Sequence, residues 1–152
     1  MNKRALIKAL QSVVVGGTVA VGGESHLIVE VVKYKEDGDR WQNLVWKDKD
    51  GREEALETDG QKLTLWKEIE APEIGWPKMN EPFSYGGEEY RDVESGIAQT
   101  ISFTGKKQKR GTVMWRVCEA DSGHKISIEI WDGEQCVYYA DGELPATSVQ
   151  VI

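Results

Sequence analysis

From Thr18 onward apolar residues recur at every second position, and short turn signals break that period at close intervals. In residues 27–35 the set Leu27, Val29, Val31 alternates with Ile28, Glu30, Val32 and Tyr34, and later Ile126, Ile128 and Ile130 alternate with Ser127, Glu129 and Trp131. This is the period of half-buried antiparallel strands, whose successive side chains point to opposite faces. The punctuation is Gly22-Gly23, Asp37-Gly38, Asp50-Gly51, Asp59-Gly60, Gly86-Gly87, Ser122-Gly123, Asp132-Gly133 and Asp141-Gly142, all residues that tolerate the positive φ of hairpin turns. The expected fold is therefore all-β: two related antiparallel meander modules, barrel- or sandwich-like, sharing one core. Strands are expected near 18–21, 25–35, 41–47, 53–58, 62–68, 81–85, 88–94, 97–104, 111–120, 125–131, 135–140 and 147–151. Before them, Leu6, Ile7 and Leu10 share one face of a short amphipathic helix over residues 3–12, which ends ahead of Gly16-Gly17.

The chain also echoes itself. Residues 18–24 (TVAVGGE) resemble residues 82–88 (PFSYGGE), and each copy then runs through strands to a tryptophan, Trp41 or Trp115, and on to an Asp-Gly turn at Asp59 or Asp132. The pattern points to a duplication, with residues 12–70 and 81–152 as the two modules and Trp41 equivalent to Trp115. A module of about 60 residues is marginal alone, so one domain over 1–152 with a shared core is expected. The segment 71–80, with Pro72 and Pro77, is the link.

The order of these features resembles the family called domain of unknown function 4178. The resemblance runs through Gly17 and Val19, Trp41 and Leu44, Trp66, Phe83, Gly86-Gly87-Glu88, Tyr90, Gly105, Gly111, Trp115, Ile126-Ser127-Ile128-Glu129 and Gly142, and so covers nearly the whole chain. It implies a small bacterial cytoplasmic β domain, found in settings that include envelope-stress proteins and polyamine-synthesising enzymes. It brings no established active site.

Nineteen basic residues face 26 acidic ones, a net charge of −7, which disfavours general nucleic-acid binding. No apolar run reaches the roughly 18 to 20 residues a spanning helix needs, so no transmembrane segment is expected. Cys118 and Cys136 match neither a zinc pair nor a redox C-x-x-C, and are read as reduced thiols unless their strands are neighbours. His26 and His124 lack the spacing of metal ligands, and there is no P-loop, no G-x-S-x-G elbow and no strand-to-helix G-x-G-x-x-G, so neither a cofactor nor a familiar enzyme class is expected. Ser95 falls in an apparent turn. Glu30 and Glu129 sit on the polar rows of their strands, where a carboxylate ordinarily faces solvent, although burial would poise it as an acid or base.

Two features suggest a contact surface. The basic run Lys106, Lys107, Lys109, Arg110 is either a solvated hairpin tip or a docking loop for an anionic partner. Periodicity puts Trp115 in the core with Val113 and Val117, whereas Trp46, Trp66, Trp76 and Trp131 are candidates for an exposed aromatic platform. The reading that follows is a non-catalytic binding or scaffolding module of a bacterial cytoplasmic pathway that engages a protein partner, with homo-oligomerisation left open. The alternative is an enzyme-associated domain that binds a small cationic metabolite such as a polyamine. A pocket lined by several of Glu30, Glu53, Glu57, Glu129 and Asp132 favours the second reading, and a flat aromatic patch favours the first.

Overall fold

The computed structural model describes residues 2–71, 74, 81–104 and 111–152. Its helix, α1 (Lys3–Leu10), starts where Asn2 Oδ1 accepts from the Ala5 N–H at 2.8 Å. Near its end, Gln42 donates to the Leu10 carbonyl at 3.1 Å and satisfies an otherwise orphaned acceptor. The strands are β1 (Thr18–Val21), β2 (Glu24–Leu27), β3 (Glu30–Glu36), β4 (Asp39–Lys47), β5 (Glu53–Thr58), β6 (Leu63–Glu68), β7 (Phe83–Tyr85), β8 (Glu88–Thr104), β9 (Thr112–Ala120), β10 (Lys125–Trp131), β11 (Glu134–Ala140) and β12 (Val149–Val151).

Eight of these close into a barrel in the order β3-β4-β5-β6-β11-β10-β9-β8, with β8 returning to β3 and β7 added beside β8. A second sheet, β12-β1-β2, stands apart. Two strand boundaries differ from the sequence expectation. The run at 25–35 divides because Ile28 N–H bonds the Gly17 carbonyl while Val29 N–H bonds that of Val45, so the chain leaves the small sheet and enters the barrel between these residues. Conversely, 88–104 is one long strand with a bulge between Asp92 and Glu94, and Ser95 lies inside it rather than in a turn.

The two meanders β3–β6 and β8–β11 follow the same path. A shift of 72 residues carries the facing pairs Asn43/Glu57 and Ala55/Trp66 onto Trp115/Glu129 and Ser127/Tyr138. First strand pairs with first strand across one seam and last with last across the other, as a twofold arrangement requires. The hairpins at Gly22-Gly23 and Gly86-Gly87 have nearly the same backbone, with φ of 59° and 84° against 58° and 82°. In detail the register corrects one expectation: Trp115 takes the place of Asn43, not of Trp41.

The principal apolar clusters lie outside the barrel wall. Leu44, Trp46 and Leu56 project outward against Leu6, Ile7 and Leu10 of α1 and Val19 of the small sheet. On the other half Tyr90, Cys118, Ile126 and Ile128 project outward under Ala71 and Ile74. Each such side chain, fully buried, contributes roughly 1.5–3 kcal/mol. Because side chains alternate, covering the outer rows with apolar residues leaves the barrel interior to the rows between them.

Candidate functional site

Those inner rows line a cavity of about 580 Å3, within the usual range for small-molecule sites. Seven carboxylates border it, from Glu36, Asp39, Glu53, Glu57, Asp59, Glu94 and Glu129, against a single cation, Arg40. Aromatic side chains form much of the remaining wall: Tyr34 stacks on Trp41 with ring centres 5.4 Å apart, and Trp41 meets Trp115 edge-on at 6.3 Å.

Three tryptophans hold the acids in place. Trp66 Nε1 donates to Glu57 Oε1 at 3.3 Å, Trp115 Nε1 to Glu36 Oε1 at 2.9 Å, and Trp131 Nε1 to Glu129 Oε1 at 3.0 Å. An indole is a donor only, so pairing it with a carboxylate orients the charge without neutralising it. Burial pushes Glu57 up to about 7, the Trp66 hydrogen bond opposes that rise, and the charges of Glu129, Asp59 and Glu94 add to it. Burial, followed by the nearby Glu129 charge, raises the Tyr34 and Tyr138 phenols well above their ordinary value, so both stay protonated at neutral pH. Asn43 lines the same cavity opposite Glu57 on the ladder, and its Oδ1 is buried with no hydrogen-bond partner. The site thus concentrates acceptors and negative charge beside aromatic faces, an arrangement that suits a cation bearing several N–H donors.

Several sequence expectations change here. Glu129 does not face outer solvent but lines the lumen, and Glu30 is buried at 2% exposure. Both follow from the inverted barrel, whose polar rows point inward. Trp46, Trp66 and Trp131 are buried, at 1%, 7% and 8%, so they form no exposed platform. Trp46 stacks on His26 at 4.3 Å and donates to Glu54 at 3.0 Å, outside the lumen. Trp76 and the basic run Lys106, Lys107, Lys109, Arg110 lie outside the described residues. Trp115 shares an inward row with Val113 and Val117, as its period indicates, but is half-buried on the cavity wall. Of the acids whose grouping was to separate the two readings, Glu53, Glu57 and Glu129 line the cavity, while Asp132 sits at an exposed hairpin tip. Glu36, Tyr34, Asn43 and Tyr138 were not singled out by the sequence; the spacing Glu129-x-Trp131, which puts donor and acceptor on one strand face, is the signal that was available.

The cysteines do not pair. Cys118 and Cys136 flank β10 on opposite faces of the sheet, packed in different clusters. His124 Nδ1 lies 2.7 Å from Glu88 Oε2, away from the lumen residues. Among the described residues no three His, Cys, Asp or Glu side chains are grouped to hold a metal ion, and no helix is long and apolar enough to cross a membrane.

A family model described as "Domain of unknown function (DUF4178)" matches residues 14–143. The chain belongs to this family. In this DUF4178 member the matched span includes both meanders and every carboxylate of the lumen. No curated protein and no solved structure matches it.

Proposed function

We propose that the barrel binds a small organic cation, a protonated amine of the polyamine class, in its acidic lumen. One observation carries this reading: seven carboxylates and one arginine around a cavity of about 580 Å3, with three of the acids oriented by indole N–H groups. Like charges enclosed together raise one another's cost, as the elevated Glu57 shows, and an ammonium ion entering among them relieves it. Aromatic walls add cation–π attraction, which is worth more in a partly desolvated site. The exposed tips carrying Asp39 and Asp59 present negative charge at the cavity's edge and draw a cation toward it. The role is one of binding rather than catalysis, within a bacterial cytoplasm, and the shared register of the two meanders supports an origin by duplication.

The test is thermal unfolding and titration calorimetry with spermidine, against a neutral polyol and against sodium chloride of equal ionic strength. Stabilisation by spermidine alone is expected, with saturable heat. Equal responses to spermidine and to salt would overturn the reading.

A protein partner is the second reading, and one observation favours it: Ile97, Ile101 and Met114 are exposed on the outer face of β8 and β9. Wild-type and Ile97→Lys proteins used as bait in native extract test that face. A partner lost on substitution supports it, and identical captures oppose it.

A further inference from the structure

We propose that the lumen's ligand is a linear diammonium ion held at both ends, one ammonium on Glu57 and the other on Glu129. This rests on the cation reading above and narrows it to a ligand with two like ends.

The register of the barrel leads to this pair. The shift of 72 residues that superposes the two meanders' ladders exchanges Glu57 with Glu129. No other two carboxylates bordering the cavity exchange in this way: the partner of Glu53 is Lys125, that of Asp59 is Trp131, and that of Asp39 is Gly111. The site therefore repeats one element, an inward glutamate in the third strand of each meander with its Oε1 held by an indole. Trp66 holds Glu57 and Trp131 holds Glu129. A pocket with two equivalent anionic anchors binds best a ligand with two equivalent cationic ends, because each end then replaces hydration with a charge-assisted hydrogen bond.

An independent observation points to an N–H donor beside the first anchor. Asn43 stands directly opposite Glu57, and its carboxamide oxygen is buried without a partner. An ammonium carries three donors, so one group on Glu57 has N–H bonds to spare for that oxygen. The equivalent position beside Glu129 holds Trp115, whose ring offers a π face rather than an acceptor. Between the anchors, Tyr34, Trp41 and Trp115 give an aromatic wall against which a methylene chain packs. The electrostatics agree: the charge of Glu129 is among the causes that raise Glu57, so the two carboxylates sense each other across the lumen.

The experiment is titration calorimetry of the wild-type chain, at low salt and at a pH where Glu57 is ionised, with linear 1,ω-diaminoalkanes of increasing length and with the n-alkylamine of each length. Expected are an optimum chain length and, at that length, a diamine affinity at least about tenfold above that of the monoamine, a difference of about 1.4 kcal/mol. Glu57→Gln and Glu129→Gln should each lose about tenfold toward the best diamine, a similar loss from either end, and little toward the monoamine. Unfolding midpoints of both variants verify that they are folded, and the wild-type comparison stands without them. Monoamines binding as tightly as diamines, the absence of a length optimum, or a loss confined to one variant would overturn the two-ended ligand while leaving a cation site intact. Failure of every amine to bind would instead remove the cation reading itself.

Discussion

Trp115 Nε1 donates to Glu36 Oε1 at 2.9 Å across Gly96, joining β9 to β3, two strands that do not pair with each other. Gly96 faces Trp115 on the intervening strand, and a Cβ at that position would overlap the Glu36 carboxylate. The glycine that reads as a turn signal in the sequence is thus a gap in the barrel wall through which a lumen acid is fastened.

Replacing Gly96 with alanine should therefore displace Glu36. The carboxylate is the far end of a flexible side chain, so the strand stays in place and the loss is that of one charge-assisted hydrogen bond, about 1–2 kcal/mol. A double-mutant cycle in urea checks this. Gly96→Ala should cost little once Glu36 is already alanine; an undiminished cost in that background would show that the methyl meets something else.

The architecture was readable because alternation and turn chemistry are local. Ile126, Ile128 and Ile130 identify their strand, and Asp132-Gly133 its hairpin, whatever surrounds them. Which face is inside is not local. Ile128 is buried against a cover made by Ala71 and Ile74, and Glu129 looks inward, only because β6 meets β11 and β3 meets β8 to close the wall. A closed barrel with its apolar rows outside has the same alternation as an open sheet with polar rows in solvent, so the sequence pattern does not distinguish them. The Asp59 and Asp132 turns were recognisable as counterparts, yet β10 and β11 pair one residue farther than β5 and β6, and the tryptophans consequently align two residues from their expected match.

Stability substitutions on the outer rows distinguish a structural tryptophan from a contact tryptophan. Ile128→Ala removes a fully buried side chain and should cost about 2–5 kcal/mol; Trp46→Ala, packed between α1 and the barrel wall, should cost about 3–5 kcal/mol. Denaturant midpoints provide the measurement. A near-zero cost at Trp46 would return it to the surface.

The two thiols should differ in reactivity. Cys118 is fully buried, and burial, with the Asp92 charge beside it, pushes its thiol up to about 12 against the opposing pull of Arg116. Since the thiolate is the nucleophile, native protein exposed to a thiol reagent at neutral pH should be modified at Cys136 before Cys118, and denatured protein at both. Rapid native labelling of Cys118, read by peptide mass spectrometry, would contradict the burial.

Glu57 makes the empty barrel sensitive to pH near neutrality. Its pKa rises from 4.5 to about 7 on folding, so between those values the native state holds a proton that the unfolded chain has released. The group's contribution to stability is therefore fully present below about pH 4.5 and is lost as pH rises through about 7. Urea midpoints of the wild type should fall relative to those of Glu57→Gln over that window and run parallel above it. A bound ammonium reverses the trend, because it pairs with the ionised form: affinity for a diamine should strengthen as pH rises toward and past 7, with about one proton released per ligand at the lower end of the window. Calorimetry in two buffers of different ionisation enthalpy reads that proton directly. Parallel urea curves for wild type and Glu57→Gln across the whole window, or diamine binding with no proton released below pH 7, would show that Glu57 is already ionised in the empty lumen.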